Sequence, residues 1–340
     1  MVDEILLPPR ATLRQVAALS GVSLKTASRA LNSEPHVSYG VQSRVLAAAH
    51  QLGFRRNGLA RDFRSGARST TVALIMGDVS NPFYARIARG AERRLRDAGL
   101  QLVSASSDED SERELALIDD MIERRVSGLL IVSSLDDHRF LEAERRLGTP
   151  VVFLDRPPDH ILADTVVIDN VGGMSQAVEH LLGSGHRHIG LVGDLRRLST
   201  HRERVEGFAA AMRSAGFHDW ERHVRADSHD IPSAEAAVVD LLASPEPPTA
   251  IITTNNRITI GALRALRGAQ HPPALVGFDE FELADLLDVS VIAHNPERMG
   301  QIGADLVIDR LAGMDQPPRR VVLPTELLVR GSSERRAQVV

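Results

Sequence analysis

Carboxylate and amide side chains follow several short apolar runs of this sequence. Asp78 and Asn81 come just after the run Val72 to Met76, and Asp155 and Arg156 come just after Val151 to Leu154. Carboxylates and amides beside an arginine suit a polyhydroxylated ligand, because they offer acceptors and donors at fixed spacing. The full set is Asp78, Asn81, Asp136, Asp155, Arg156, Asn255, Asn256 and Asp279. For any single residue, a helix cap or a solvated side chain is the alternative.

A second group of polar residues lies near the N-terminus, on a predicted helix from Leu24 to Leu31. Lys25, the single lysine of the chain, can donate to guanine O6 and N7, and Leu24 can contact a thymine methyl group. Short hydroxyl donors for phosphate oxygens surround them, namely Ser23, Thr26 and Ser28. This composition favours a helix that reads the major groove of DNA. A packing unit of two helices without a DNA role is the alternative.

The elements that position Lys25 are predicted by capping residues. Thr12 with Gln15 three residues later is a capping box, and Gly21 is typical of a helix end. Ser23 then caps the helix that carries Lys25, and the turn between the two helices contains Gly21. Two short helices joined in this way predict a helix-turn-helix, with a third helix beginning after Ser38.

The elements that position the later carboxylates alternate between strand-like and helix-like patterns from Thr71 onward. Such alternation predicts parallel sheets with right-handed crossovers, and about 260 residues favour two doubly wound lobes over one sheet. Ligands of such sheets bind beyond the carboxyl ends of the strands, which is where the polar groups above are placed.

Composition limits the remaining possibilities. The chain has 340 residues, 43% hydrophobic and 25% charged, and no cysteine, which excludes disulfides, thiolate metal sites and cysteine nucleophiles. Residues 1–68 carry nine Arg and one Lys against four acidic residues, a net charge of +6, while the rest carries −11. This basic head favours a polyanionic partner. No apolar run approaches the ~20 residues of a membrane helix, and the Met1 to Arg10 segment has no apolar signal core.

Enzyme signatures are missing from the sequence. We find no dinucleotide fingerprint, no Walker loop, no His-Glu-x-x-His and no nucleophile elbow. His180, His186 and His188 could be read as a metal cluster, but their spacing favours structural roles. We therefore expect neither an enzyme nor a bound metal or other cofactor.

The head resembles the headpiece of the lactose-repressor/galactose-repressor family of bacterial transcriptional regulators. The resemblance lies in the run Ala11 to Ser23, in Thr26-Ala27-Ser28-Arg29-Ala30-Leu31-Asn32, in His36-Val37-Ser38 and in Ala47 to Phe54. It implies that Leu24, Lys25 and Arg29 read bases and that Thr12 and Asn32 belong to the same DNA-binding surface.

The segment from Arg55 to Gly66 resembles the hinge helix of that family. The resemblance implies contacts of Asn57, Ala60 and Arg61 with DNA, and a wedge in the minor groove at Phe63, where relatives usually have leucine. Phenylalanine can unstack base pairs in the same way. The alternative is that Phe63 packs on the body.

The body resembles the effector domain of the same family and periplasmic sugar-binding proteins in general. The matching motifs include Asp78 to Tyr84, Asp155-Arg156, Arg202-Glu203-Arg204 and Val276-Gly277-Phe278-Asp279. The resemblance implies an effector pocket formed by Asp78, Asn81, Phe83, Asp136, Arg156, Ser175, Arg202, Asn255, Asp279 and Asn295. Ser175 stands where the family often has arginine.

These observations predict an all-α helix-turn-helix headpiece joined to a two-lobed α/β domain of the type I periplasmic-binding-protein kind. The predicted divisions are residues 1–56, a hinge at 57–68, an effector-binding and dimerisation domain at 69–332 and a tail at 333–340. One lobe would contain 69–157 with 295–322, and the other 158–294 with 323–332.

The resemblance implies a transcriptional regulator, and a repressor rather than an activator. It would be a cytoplasmic, nucleoid-associated homodimer that binds a near-palindromic DNA operator. A small molecule, a sugar or a sugar derivative, would control it allosterically, and no membrane would be involved. The alternative is a soluble small-molecule-binding module without DNA function.

Overall fold

A three-helix unit forms at the N-terminal end of the described chain. The computed structural model describes residues 11–54 and 69–336, which lie in two separate compact units. In the first, α1 (Leu13–Ser20), α2 (Leu24–Leu31) and α3 (Tyr39–Gln51) all pack against each other. Small side chains let the helices approach closely, and the shared core consists of Val16, Ala17, Ala27, Ala30, Leu31, Val45, Ala48 and Ala49.

The second unit begins with a lobe built on six parallel strands in the order β11-β5-β4-β3-β1-β2. The strands are β1 (Thr71–Met76), β2 (Gln101–Ser106), β3 (Gly128–Ile131), β4 (Val151–Leu154), β5 (Asp164–Ile168) and β11 (Arg320–Leu323). The helices of this lobe are α4 (Pro82–Asp97), α5 (Ser111–Glu123), α6 (Glu142–Arg146) and α11 (Pro296–Leu311). The buried strands are almost entirely apolar, as expected for a parallel sheet covered on both faces.

The other lobe has the strand order β12-β10-β9-β8-β6-β7, in which only the β12–β10 pair is antiparallel. The strands are β6 (Ile189–Val192), β7 (Val224–Arg225), β8 (Ala250–Thr253), β9 (Ala274–Phe278), β10 (Ser290–Ala293) and β12 (Glu326–Leu328). The helices are α7 (Asn170–Gly183), α8 (Ser199–Ser214), α9 (Ile231–Leu242) and α10 (Asn256–Ala265). The two sheets therefore share one strand order, with β4 corresponding to β9 and β1 to β6.

Three short crossovers join the lobes. The chain passes from β5 to α7 through Asp169, from β10 to α11 through residues 294–295, and from β11 to β12 through residues 324–325. The predicted two-lobed α/β architecture is confirmed.

The predicted border at residue 158 differs from the sheet membership, because β5 is the neighbour of β4 in the first sheet. Residues 164–168, predicted to belong to the second lobe, therefore belong to the first. The connection from β4 to β5 is a loop with no helix in it, so the usual strand–helix–strand pattern is missing there.

Close helix packing in the first lobe depends on two glycines. A Cβ atom added at Gly90 of α4 would overlap the backbone of Glu297, and one added at Gly300 of α11 would overlap the backbone of Ile87. Backbone atoms cannot move aside as a flexible side chain can. Glycine at these two positions therefore lets α4 and α11 lie in contact.

We expect Gly90→Ala to lower the free energy of unfolding by about 1–3 kcal/mol, because the added methyl group overpacks the contact between the helices. Urea denaturation of the purified protein measures this change. Gly183→Ala in α7 is the matched control, since its added Cβ meets no atom within 4 Å. Equal stabilities of the two variants would contradict the packing argument.

Across residues 11–54 and 69–336, no helix combines the length and apolarity that crossing a membrane requires.

Candidate functional site

The outer face of α2 presents polar and apolar groups that could reach DNA. At 100° per residue, positions 24, 25, 28 and 32 fall within about 100° of one another, and the buried Ala30 lies on the opposite side of the helix. Leu24 is 49% exposed, and Lys25 is exposed beside it. Thr26 and Ser28 are partly exposed. This helix face fits the major groove, where the N-terminal residues of a helix contact base edges.

Several of the predicted DNA-binding side chains also stabilise the local fold. Thr12 and Gln15 form a reciprocal capping box, in which the Gln15 N–H donates to Thr12 Oγ1 at 3.3 Å. Ser23 Oγ accepts from the Thr26 N–H at 3.1 Å, and Gly21 adopts φ 66° in the turn between the helices. The caps thus fix the angle at which α2 leaves the turn.

Arg29 and Asn32 make contacts at the C-terminal end of α2. Arg29 Nη2 donates to the Pro35 carbonyl at 2.8 Å, and its Nε lies 3.4 Å from Glu34 Oε2. Asn32 Nδ2 donates to Glu34 Oε1 at 3.2 Å. Base reading by Arg29 would require this ion pair to open. The predicted hinge residues Asn57, Ala60, Arg61 and Phe63 lie outside the described residues, so the wedge remains a prediction.

A narrow polar cavity lies between the two lobes of the second unit. Residues following the carboxyl ends of both sheets line it, as the general rule for doubly wound sheets requires. The lining residues are Asp78, Asn81, Phe83, Tyr84, Glu109, Asp155, Arg156, Asp194, Thr200, Arg204, His229, Asn255, Arg257 and Asp279. This position and polarity are what a small hydroxyl-bearing ligand requires.

On the first lobe, the cavity wall is an ion pair with a tyrosine. Arg156 donates from Nη1 to Glu109 Oε2 at 2.6 Å and from Nη2 to Glu109 Oε1 at 2.9 Å. Tyr84 Oη donates to Glu109 Oε1 at 3.1 Å. Burial alone would raise the pKa of Glu109, but the charge and hydrogen bonds of Arg156 lower it overall. Burial raises the pKa of Tyr84 well above its usual value.

On the second lobe, Asp194 connects two other lining residues. Its Oδ2 accepts from Asn255 Nδ2 at 2.8 Å, and its Oδ1 lies 2.9 Å from His229 Nδ1. Burial would raise the pKa of Asp194, but the hydrogen bond and charge of His229 lower it overall. The same hydrogen bond raises the pKa of His229.

Asp279 forms a second buried carboxylate–histidine pair. Its Oδ1 lies 2.8 Å from His294 Nε2, and the His294 side chain is only 1% exposed. Burial favours the protonated acid, but the hydrogen bond with His294 and the charge of Arg204 lower the pKa of Asp279 overall. Arg204 itself donates to Asn170 Oδ1 at 2.8 Å and lies 3.9 Å above the Phe278 ring.

Asp155 corresponds to Asp279 in the repeated strand order. Asp155 follows β4 and Asp279 follows β9, which occupy the same position in the two strand orders. Each has a left-handed backbone, with φ 63° and 69°. Asp155 is 5% exposed, and its Oδ1 has no hydrogen-bond partner among the described residues. Burial raises the pKa of Asp155, against the opposing charges of Arg156 and Arg204.

Polar contacts cross from one lobe to the other at the rim of the cavity. Asn256 Nδ2 donates to Asn81 Oδ1 at 2.9 Å, and Arg257 Nη1 donates to Asp78 Oδ2. Arg197 donates to the carbonyl of Glu109. These contacts link the two lobes beside the cavity.

Six of the predicted effector-binding residues line the cavity: Asp78, Asn81, Phe83, Arg156, Asn255 and Asp279. Both asparagines also cap helices, because Asn81 Oδ1 accepts from the Phe83 N–H and Asn255 Oδ1 accepts from the Ile258 N–H. At these two positions the same side chain therefore caps a helix and lines the cavity.

Asp136 and Ser175 are not among the lining residues. After β3 the backbone N–H of Ser134 donates to the buried Glu114 of α5, which leaves Asp136 exposed on the outside of the turn. Ser175 lies within α7, where its hydroxyl donates to the Val171 carbonyl. The structure does not bring either residue to the cavity, and their role in effector binding stays a prediction.

Arg202 and Asn295 are also outside the cavity lining. Arg202 is exposed and donates to the Arg197 carbonyl, while Arg204, two positions later, points inward. Asn295 caps α11 by accepting from the Arg298 N–H, and its neighbour His294 contacts Asp279 instead. Residues two positions apart on a helix point in directions about 200° apart, so Arg204 faces the cavity while Arg202 faces away from it.

Seven of the lining residues were not predicted from the sequence as pocket residues: Tyr84, Glu109, Asp194, Thr200, Arg204, His229 and Arg257. The position of Asp194 in the sequence does indicate the cavity, because Asp194 follows β6 by two residues just as Asp78 follows β1. The spacing of Arg204 also indicates that it faces inward, since it lies four residues before the buried Phe208 on the same face of α8.

The histidines that resembled a metal cluster each contact protein groups. His180 Nε2 lies 2.9 Å from Ser333 Oγ, and His186 Nδ1 lies 2.9 Å from Thr249 Oγ1. The ring of His188 packs edge-on against His223. Within residues 11–54 and 69–336, no group of three or more histidine or acidic side chains could hold a metal ion.

Two family models match the chain. The model for bacterial regulatory proteins of the lacI family matches residues 12–57. The model for periplasmic binding proteins and the sugar-binding domain of the LacI family matches residues 69–330.

Individual relatives match over nearly the whole length. The chain is 32% identical to the HTH-type transcriptional regulator CelR of Thermobifida fusca, covering 95% of this chain and 98% of that protein. It is 28% identical to the ribose operon repressor of Escherichia coli, covering 95% of this chain and all of that protein. A solved CelR–cellobiose complex covers 95% of this chain and 100% of that one at 30% identity, with a TM-score of 0.70.

Proposed function

Since the chain belongs to the LacI family of bacterial regulatory proteins, we propose that it is a transcriptional repressor whose operator affinity is controlled by a small hydroxyl-bearing molecule. One observation carries the proposal: a helix-turn-helix with an exposed Lys25 and a polar cavity between two lobes occur on a single chain. The cavity supports an effector, and the exposed face of α2 supports binding in the major groove.

The named relatives support the class of ligand. One is a ribose operon repressor, and a solved relative contains cellobiose. Two headpieces of a homodimer would read two half-sites of a near-palindromic operator. Control of operator binding by a ligand also requires that the ligand bind the DNA-competent and the DNA-free states with different affinities. We place the protein in the cytoplasm near the nucleoid, where an operator would be found.

Operator binding can be tested without knowing the regulated genes. The purified protein would first select sequences from a random duplex library. Its affinity for the selected sequences would then be measured by fluorescence anisotropy between 50 and 200 mM salt. Six to ten phosphate contacts predict a loss of about 10³–10⁵ in affinity over that range. A flat salt response without sequence preference would instead favour a ligand-binding module without DNA function.

We expect Lys25→Ala to reduce discrimination at one base pair of each half-site by about 1–3 kcal/mol, because bidentate donation to guanine is lost. Competition with single-base operator variants measures this. Arg44→Ala is the matched control, because it removes the same charge from an exposed position on α3. If both variants kept the full sequence preference, Lys25 would not be a base-reading residue.

A further inference from the structure

The charges around the cavity are unequal. Five carboxylates line it, from Asp78, Glu109, Asp155, Asp194 and Asp279. Three guanidinium groups and one histidine face them, from Arg156, Arg204, Arg257 and His229. The acidic excess makes the cavity a poor environment for an anion.

Each of the three guanidinium groups is already engaged. Arg156 makes a bidentate pair with Glu109, and Arg257 donates to Asp78 and to Ser80 Oγ, the latter at 3.3 Å. Arg204 donates to the Thr254 carbonyl, with its other contacts to Asn170 and Phe278 described above. To gain a bidentate arginine partner, a phosphate or carboxylate entering the cavity would have to displace the carboxylate paired with Arg156 or with Arg257, or the neutral oxygens bound to Arg204.

Two buried polar atoms of the lining residues have no hydrogen-bond partner within the described ranges: an acceptor, Asp155 Oδ1, and a donor, Arg156 Nε, which lies 3.8 Å from Asp155 Oδ2. Asp155 is nine-tenths buried, and its Oδ1 has no partner within the described ranges. An ionised carboxylate accepts hydrogen bonds and cannot donate them. A ligand satisfies this atom by bringing a hydroxyl or an ammonium group.

We propose that the cavity selects a neutral or cationic, donor-rich sugar and discriminates against phosphorylated and acidic sugars. The inference rests on the proposed function, because it names the class of effector for the same site. The pairing of the arginines sets the preference. Freeing one of them should make the cavity accept anions.

The first test uses matched compounds on the full-length protein. Calorimetry and thermal shift would compare ribose with ribose 5-phosphate, and glucose with glucosamine, glucose 6-phosphate and gluconate, each up to 10 mM. We expect at least one neutral or amino sugar to bind at least tenfold more tightly than its phosphate and acid counterparts. Tighter binding of an anionic member would overturn the proposal, as would the absence of binding by every neutral and amino member.

The second test changes the pairing directly. Asp78→Asn removes the carboxylate that faces Arg257, while its Oδ1 can still accept from the Ser80 N–H, which lies at 2.8 Å. We expect sugar phosphates to bind several-fold more tightly to this variant than to the unmodified protein. Unchanged phosphate binding would overturn the role of arginine pairing.

Asp227→Asn is the matched control, because it frees Arg196 from an exposed ion pair that does not line the cavity. Its phosphate affinity should stay that of the unmodified protein, and an equal gain there would also overturn the proposal. Salt-dependent operator binding, measured on the same preparations, separates the two levels of inference. If operator binding persists while the protein binds anionic sugars more tightly, only the proposed effector class is wrong. If operator binding is absent, the proposed function fails.

Discussion

Arg156→Met should lower the free energy of unfolding at pH 7 by about 3–5 kcal/mol, because it leaves a buried carboxylate without its cation. Arg156 and Glu109 are 6% and 3% exposed in their side chains, so water cannot replace the lost partner. Urea denaturation followed by circular dichroism measures the change. Arg139→Met is the control, since Arg139 and its partner Asp137 lie at the surface and should contribute little.

The loss in free energy of unfolding caused by Arg156→Met should depend on pH. In the unmodified protein Arg156 lowers the pKa of Glu109, so the stabilisation is present above the pKa of the unfolded chain and is lost as the pH falls through the folded value. Without Arg156, burial raises the pKa of Glu109, and the penalty is relieved as the carboxylate takes up a proton. The difference between the two proteins should therefore narrow from pH 7 to pH 5. A difference that stays constant with pH would assign the loss to packing instead.

Asp279→Asn should produce a repressor that still binds its operator but responds to the effector only at much higher concentrations. The substitution keeps the shape and tolerates the left-handed backbone, but it removes the charge beside His294. Hydrogen bonds to charged groups contribute about 1.5–3 kcal/mol, so we expect effector affinity to fall about 10–100-fold. The measurement is operator release, by anisotropy, with the neutral or amino sugar that raises the melting temperature most.

Asp227→Asn serves as the control for Asp279→Asn as well. Asp227 also follows a strand and also has a left-handed backbone, with φ 62°, but its carboxylate is half exposed and pairs with Arg196 outside the cavity. Its effector response should be unchanged. If Asp279→Asn released the operator at the same effector concentration as this control, Asp279 would not contact the effector.

Strand-end residues were predictable because parallel sheets bring their carboxyl ends to one edge. Asp78, Asn255 and Asp279 were found by that rule, together with the resemblance to a known family. The rule places a residue after a strand and does not fix the direction of the following turn. Asp136 shows the difference, since Glu114 of α5 holds the turn after β3 and Asp136 stays outside.

Residues that reach the cavity from helices and long loops were harder to predict. Arg204 rather than Arg202 faces inward because the buried stripe of α8 passes through His201, Arg204 and Phe208. Glu109 and His229 follow strands β2 and β7 at edges of the sheets, and contacts with Arg156 and Asp194 bring them inward. Those partners are far away in sequence, so no local pattern could identify them.

The short crossovers between the lobes have a consequence for synthesis on the ribosome. The first lobe lacks α11 and strand β11 until residues 296–323 have been made, although its strand β5 ends at Ile168. At about 5–20 residues per second, the incomplete sheet would wait for roughly 8–30 seconds while the second lobe emerges. During that interval β5 has a free edge, and α4 exposes the glycine surface that α11 later covers. A nonsense mutation near the end of the gene would therefore damage the lobe encoded at its beginning.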